Sequence, residues 1–125
     1  MQGKLKILII DDELAPRESI RMVLKDKYAV AAAPGVAEAL GYMTDNPVNL
    51  VLLDINMPKI DGITGLKEIK KRHPETQIIL LSAYVTLETI QKALKLGAFG
   101  YLMKPFDHDK LINIVDEALK NDGSR

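Results

Sequence analysis

Residues 50–62 have the sequence LVLLDINMPKIDG, and this stretch decides the fold. It begins with an uninterrupted apolar run, residues 50–53, which ends at Asp54. A short apolar run without polar alternation is typical of a strand that is buried on both faces, as in a parallel sheet. The run therefore predicts a buried strand that carries Asp54 at its carboxyl end.

Four further apolar runs lie along the chain, at residues 5–10, 29–33, 78–81 and 99–103. Between them, apolar residues recur at helical spacing. This alternation predicts an α/β domain of the flavodoxin-like, doubly wound type. We expect a five-stranded parallel sheet in the order 2-1-3-4-5 with helices on both faces, because right-handed crossovers leave few other topologies.

The helical segments have recognisable ends and inward faces. Pro16 suits a first helical turn, Gly97 suits a C-cap and Asp107 suits an N-cap. Leu87, Leu94 and Ile112, on the last two helices, are also expected in the core, with a dimer or partner contact as the alternative. The expected inward faces are Ile20, Val23 and Leu24; Val36, Ala39, Leu40 and Met43; Ile63, Leu66 and Ile69; Ile90, Ala93 and Leu94; and Leu111, Ile114, Val115 and Ala118.

The composition fits one compact domain of 125 residues, of which 47% are hydrophobic and 27% charged. Lys+Arg and Asp+Glu both total 17, so we expect no direct nucleic-acid binding by this domain. Without Cys, neither a disulfide nor a thiolate metal site can form. We expect a cytoplasmic protein without membrane contact, a domain at residues 1–120, and a polar tail at 121–125 that begins a linker or is a cloning remnant.

Polar residues follow the predicted strands at one edge of the sheet. They are Asp11, Asp12, Asp54, Ser82 and Lys104. Ligands of doubly wound sheets bind outside the carboxyl ends of the strands, so these side chains are expected to share one crevice. Three carboxylates against one lysine leave excess negative charge, which a hard divalent cation with oxygen ligands would neutralise. The absence of His and Cys from the set argues against zinc.

Each of these residues also has an ordinary structural explanation when it is considered alone. An Asp or a Ser after a strand is commonly a turn residue or a helix cap. A Lys before Pro is commonly a solvated surface residue. Their convergence on one edge of one predicted sheet is what favours a functional site.

Five motifs occur in a fixed order along the chain: Asp11-Asp12-Glu13, LLDINMP at 52–58 followed by Asp61-Gly62, Ser82-Ala83, LGAFGYL at 96–102, and Lys104-Pro105-Phe106. Together they resemble the response-regulator receiver family, and the resemblance extends from residue 5 to about residue 119. It implies that Asp54 accepts a phosphoryl group from a sensor histidine kinase or a phosphotransfer protein. It also implies no enzymatic activity beyond the domain's own phosphorylation and dephosphorylation.

The resemblance implies a metal site that holds Mg²⁺, with Mn²⁺ as a substitute. Asp12 matches a direct ligand, Asp11 acts mostly through a metal-bound water, and Asp54 and the backbone carbonyl of Asn56 complete the protein ligands. Asn56 and Tyr84 match positions that tune the lifetime of the phosphoryl group.

The resemblance also implies a switch. Ser82 matches the hydroxyl that contacts the phosphoryl group, Lys104 the phosphate-pairing lysine, and Tyr101 the aromatic residue that turns inward on activation. A plain half-buried strand aromatic is the alternative interpretation of Tyr101. The family has a cis peptide between Lys104 and Pro105. A C-terminal effector domain or partner protein and a phosphorylation-dependent dimer are the expected outputs.

Three other functions compete with this interpretation. A receiver-like docking module that is not phosphorylated would usually lack an acid or the lysine, and this chain has them all. An Asp-nucleophile phosphatase needs an acid two residues after the nucleophile, where this chain has Asn56, which cannot transfer protons. A flavin-binding domain would need Gly, Ser or Thr after the first strand, where acids stand instead.

Overall fold

The structure, a computed structural model, describes residues 3–56 and 62–120. The chain alternates strands and helices throughout. The strands are β1 (Lys6–Ile10), β2 (Ala29–Ala33), β3 (Leu50–Asp54), β4 (Gln77–Ser82) and β5 (Gly100–Met103). The helices are α1 (Leu14–Leu24), α2 (Val36–Asp45), α3 (Gly62–Arg72), α4 (Leu87–Lys95) and α5 (His108–Lys120).

The sheet has the order β2-β1-β3-β4-β5, and every neighbouring pair is parallel. The predicted flavodoxin-like topology is therefore confirmed. The central strands read as continuous apolar runs because both of their faces are covered by helices. The winding reverses between β1 and β3, which places a crevice at the carboxyl ends of these two strands.

The core consists of two layers, one on each face of the sheet. Helices α2, α3 and α4 cover one face, while α1 and α5 cover the other. Alternate strand residues supply the two layers: Leu8, Ile10, Val51, Leu53, Ile78 and Leu80 on the first face, and Ile7, Ile9, Leu50, Leu52, Ile79 and Leu81 on the second. Each such side chain contributes about 1.5–3 kcal/mol when it is buried, so the paired layers hold the strand ends in a fixed register.

Two predicted caps are confirmed. Gly97 follows α4 with φ +104°, a left-handed conformation that favours glycine at a helix C-terminus. The Asp107 carboxylate accepts a hydrogen bond from the backbone N–H of Lys110 at 2.8 Å, as an N-cap does. The expected burial of Leu87 and Leu94 is wrong, because they are 70% and 48% exposed. Ala93 is the one buried residue of α4, so little of the surface of this helix packs into the core.

Strand register brings the polar strand ends to the same level. Ile10 pairs with Leu53, so Asp11 and Asp54 follow on adjacent strands. Asp54 itself pairs with Leu81 of β4, and the next residue, Ser82, pairs with Met103 of β5. Lys104 follows directly after Met103. The sheet therefore delivers four strands' polar ends to one crevice.

Candidate functional site at the carboxyl ends of the strands

Three carboxylates gather where β1 and β3 end. Asp11, Asp12 and Asp54 each offer an oxygen, and these oxygens all lie within 4.8 Å of one another. Asp11 is fully buried and Asp54 is 4% exposed, whereas Asp12 is exposed. The sequence predicted this convergence, and the structure brings the three side chains together.

Asp54 has opposing influences on its charge. Its Oδ1 accepts a hydrogen bond from the backbone N–H of Asn56 at 2.9 Å, and its Oδ2 lies 3.4 Å from Lys104 Nζ. Burial raises the pKa of the Asp54 carboxyl above its ordinary value, the Asn56 N–H and Lys104 act in the opposite direction, and Asp11 adds to the rise. Burial thus makes the deprotonated form of Asp54 less favourable than that of an exposed carboxyl.

Lys104 is shared between two buried acids. Its Nζ lies 3.3 Å from Asp11 Oδ2 and 3.4 Å from Asp54 Oδ2. Its backbone N–H donates to the carbonyl of Ser82 at 2.7 Å, which extends the β4–β5 ladder to the crevice. The peptide between Lys104 and Pro105 is cis. One ammonium therefore faces two carboxylates and leaves the cluster negative.

Hydrogen bonds orient the first strand end. Asp11 Oδ1 accepts from the backbone N–H of Glu13 at 2.9 Å, and Arg17 donates to the Asp11 carbonyl at 3.0 Å. Sequence reasoning missed Arg17, whose signal was a cation in the first helical turns after a pair of acids. Because Arg17 contacts a backbone carbonyl, it adds no direct ion pair to the one that Lys104 forms with the carboxylates.

The β4–α4 loop closes the crevice through hydrogen bonds to Asn56. The Asn56 side-chain oxygen accepts from Ser82 Oγ at 2.9 Å and from the backbone N–H of Ala83 at 2.8 Å. Ser82 Oγ is also 2.6 Å from the Tyr84 carbonyl and accepts from the Tyr84 N–H at 3.0 Å. Ser82 is buried, while the Tyr84 ring is 78% exposed.

Tyr101 lies apart from the charged cluster. It is in β5 opposite Leu80 and is 40% exposed, so its ring is partly in solvent. The motif residues Met57 and Asp61, and the tail at 121–125, lie outside the described residues.

The donor set fits a hard divalent cation. All three side chains of the cluster are carboxylates, which suit Mg²⁺ and exclude the nitrogen and sulfur ligands typical of zinc sites. The two buried acids share a single lysine, so a bound cation would relieve repulsion as well as fill a coordination site. Within the described residues, no helix combines the length and the apolar character that a membrane span requires.

Comparison with known proteins places these features in context. Residues 7–116 match the family model described as the response regulator receiver domain. The transcriptional regulatory protein ZraR of Salmonella typhimurium is 38% identical over 120 residues, which cover 95% of this chain and 27% of that protein. The regulatory protein AtoC of Escherichia coli is 40% identical, with 92% of this chain and 25% of that protein covered. The chain thus spans about a quarter of the length of these relatives.

Solved structures of receiver domains superimpose closely on this chain. A CheY-like response regulator receiver domain protein from Methanospirillum hungatei superimposes with a TM-score of 0.91 at 30% identity, covering 96% of this chain and 97% of that one. The receiver domain of NtrX from Brucella abortus superimposes with a TM-score of 0.84 at 35% identity, covering 92% and 98%.

Proposed function

Because this chain belongs to the response regulator receiver family, we propose that Asp54 accepts a phosphoryl group, in a Mg²⁺-dependent reaction, from the phosphohistidine of a sensor histidine kinase or a phosphotransfer protein. The observation that carries the proposal is the position of Asp54. It is a buried carboxylate, within hydrogen-bonding reach of a lysine, beside two further acids that need a cation. This arrangement supports a nucleophile whose charge is controlled by its surroundings.

The reaction is a transfer between two side chains. An Asp54 carboxylate oxygen attacks phosphorus, the P–N bond to the donor histidine breaks, and the imidazole leaves with that electron pair. The product is an acyl phosphate on Asp54, and no general base is required because the nucleophile is already deprotonated when it reacts. The transferring group mainly needs positioning and positive charge around its oxygens.

Residues around Asp54 supply those needs. Asp12, Asp11, Asp54 and the backbone carbonyl of Asn56 would hold Mg²⁺, which when bound supplies positive charge to the phosphoryl oxygens. Lys104 lies 3.4 Å from Asp54 Oδ2 and would pair with the same group. Both cations favour the reactive carboxylate form of Asp54, against the burial that disfavours it.

The phosphoryl group would then act as a switch. It carries a charge of about −1.5 to −2 and strong acceptor oxygens. The Ser82 hydroxyl would turn toward it, and Tyr101 would move inward as the β4–α4 loop rearranges. The changed surface would address a C-terminal effector domain, a partner protein or a second copy of the chain. We place this activity in the cytoplasm, in a receiver at residues 1–120 followed by the 121–125 segment.

The side chain of Asn56 argues against a phosphatase. It is a carboxamide whose oxygen is held by Ser82 and Ala83, so it offers no proton to a leaving group.

The proposal is tested by incubating the protein with acetyl phosphate and Mg²⁺ and following its intact mass. We expect one phosphoryl adduct, which hydroxylamine removes and which a chelator of divalent cations prevents. The Asp54→Ala variant should form none. The matched control is Asp26→Ala, which removes an exposed carboxylate whose side chain is 93% accessible.

The control variant should react as the unmodified protein does. An adduct that forms equally well in Asp54→Ala would overturn the assignment, as would the absence of any adduct in the unmodified protein. Continued release of phosphate from varied phosphomonoesters would favour a phosphatase instead.

A further inference from the structure

Asn56 joins the acceptor carboxylate to the β4–α4 loop. Its backbone N–H donates to Asp54 Oδ1 at 2.9 Å. Its side-chain oxygen accepts from both Ser82 Oγ at 2.9 Å and the Ala83 N–H at 2.8 Å. The orientation of the carboxamide follows from Ala83, because a backbone N–H can only donate and so must face oxygen, not the NH₂ group. A single residue therefore touches the acceptor and the loop that must respond to it.

The two donors held by Asn56 belong to Ser82 and Ala83, which follow directly after Leu81, the residue of β4 that pairs with Asp54. Ser82 pairs through its strand with Met103, one residue beyond the Asp54–Leu81 pair. Ser82 has one hydroxyl proton, which Tyr84 O at 2.6 Å and Asn56 Oδ1 share as acceptors. The Ala83 N–H donates to Asn56 Oδ1 at 2.8 Å. This hydrogen bond holds the Asn56 side chain more firmly than the one from Ser82, whose proton is shared between two acceptors.

We propose that the Asn56 carboxamide oxygen is a resting-state substitute for a phosphoryl oxygen: it holds the Ser82 hydroxyl and the Ala83 N–H while Asp54 is unmodified, and phosphorylation displaces it. This inference rests on the proposed phosphorylation of Asp54. It makes Asn56 a positioning residue that opposes the switch.

Charge decides the exchange. An ionised phosphoryl oxygen forms hydrogen bonds roughly twice as strong as those of a neutral amide oxygen. The phosphoryl group therefore wins both donors, whereas water or a neutral ligand does not. Because two existing bonds must break first, Asn56 lowers the net gain of the active state and keeps the unmodified protein in the resting state.

Space is available for the displaced side chain. Asn56 borders a cavity of about 220 Å³ that is also lined by Ile63, Tyr84, Thr86 and Thr89. The lining includes hydroxyl groups, so a carboxamide that moves into the cavity meets polar partners. The proposed metal contact of Asn56 is its backbone carbonyl, so a change of its side chain leaves that ligand in place.

The first measurement concerns the resting protein without metal or phosphoryl donor. In ¹H–¹⁵N spectra we expect Asn56→Ala to shift the Ala83 amide upfield and to accelerate its hydrogen exchange about threefold to tenfold, the range for losing one neutral hydrogen bond. Asn56→Asp retains an acceptor oxygen and should restore the Ala83 amide shift. Asn46→Ala is the matched control, because it removes another Asn side chain, bonded to the Tyr42 carbonyl at the C-terminus of α2, before the start of β3 and so at the opposite end of that strand from Asp54.

The second measurement is the affinity for beryllofluoride, a phosphoryl mimic, at fixed Mg²⁺. We expect Asn56→Ala to bind it about threefold to tenfold more tightly than the unmodified protein does, since this variant has no hydrogen bonds from the residue 56 side chain to Ser82 and Ala83 that must break first. Asn56→Asp should not gain affinity, and Asn46→Ala should not change. A merely structural role for Asn56 would weaken binding in Asn56→Ala instead.

The outcomes separate the two proposals. If the unmodified protein binds beryllofluoride but the Ala83 amide is unmoved in Asn56→Ala, the inference fails and the proposed function stands. The inference also fails if the amide moves while the affinity stays equal or falls. If the unmodified protein neither binds beryllofluoride nor forms an acetyl phosphate adduct, the proposed function fails, and the inference with it.

Discussion

Two clusters of acids and lysines in this molecule are built in opposite ways. At Asp116, on α5, the carboxylate accepts from the Tyr28 hydroxyl and pairs with Lys27 Nζ at 3.1 Å. In the crevice, Lys104 divides one positive charge between Asp11 and Asp54. The first cluster has one acid with two donors, and the second has more acids than cations.

The two clusters also differ in how much of their charged side chains is exposed to solvent. The side chains of Lys27 and Asp116 are 64% and 35% exposed, and their opposite charges balance, so the pair leaves no net charge and water screens each partner. The side chains of Asp11 and Asp54 are 0% and 6% exposed. The Asp116 cluster is complete as folded, whereas the crevice retains an excess of negative charge that a divalent cation would relieve.

Removing the lysine from each cluster gives the largest predicted contrast. Lys104→Met should slow formation of the acetyl phosphate adduct about 100-fold, the usual effect of deleting one group that stabilises transition-state charge. Lys27→Met should leave the rate unchanged, because among the described residues the Lys27 ammonium contacts Asp116 and the Tyr28 ring, both in the α5 cluster. The rates are measured by intact mass at fixed Mg²⁺. Equal rates in the two variants would show that Lys104 does not act on the phosphoryl group.

Tyr28→Phe tests whether the α5 cluster is structural. It removes the buried hydroxyl that donates to Asp116, and we expect the free energy of unfolding to fall by about 1.5 kcal/mol, with no change in adduct formation. Chemical denaturation with urea measures it.

The effect of Tyr28→Phe on the free energy of unfolding should depend on pH. Burial, and then Asp116, raise the pKa of Tyr28 above its ordinary value of about 10. The unfolded chain therefore loses this proton before the folded chain does, and the stability contributed by the Tyr28 hydroxyl declines as pH rises above about 10. The difference in the free energy of unfolding between Tyr28→Phe and the unmodified protein should therefore narrow above about pH 10. A gap that is constant with pH would contradict the buried hydrogen bond.

The sequence predicted the crevice better than the α5 cluster. Apolar runs that stop at a polar residue locate the carboxyl ends of β1, β3, β4 and β5. Parallel pairing then brings those ends together, so the sequence alone could place Asp11, Asp54 and Lys104 in one crevice. Tyr28 and Asp116 carry no such signal. They are 88 residues apart, and only the fold brings Tyr28, which lies just before β2, next to Asp116 of α5.

Side-chain detail inside the crevice was also beyond the sequence. Position 56 was recognised for its lack of an acid, but the two hydrogen bonds that its oxygen accepts depend on the path of the β4–α4 loop. The exposure of Leu87 and Leu94 was missed for a related reason. Helical periodicity finds an apolar stripe but not its depth, and α4 buries only Ala93.

Asp54→Asn gives the smallest predicted effect and the sharpest test of the imbalance. Burial first, and Asp11 in addition, raise the pKa of Asp54 in the folded chain. Between its ordinary pKa and this raised value the folded state binds more protons than the unfolded state, so stability declines as pH rises through that interval. The amide cannot ionise and escapes this penalty. We expect Asp54→Asn to be about 1 kcal/mol more stable than the unmodified protein at pH 7 without metal.

This advantage should have two signatures in urea denaturation. It should vanish below about pH 4, where Asp54 is protonated in both states of the unmodified protein. It should also shrink when Mg²⁺ is added, because a cation that binds the folded carboxylate cluster stabilises the unmodified protein more than a variant that lacks one ligand. The exposed control Asp26→Asn should show neither signature. If Asp54→Asn were less stable than the unmodified protein in the absence of metal, the contrast with Asp116 would collapse, because the crevice carboxylate would then be as well compensated as the one on α5.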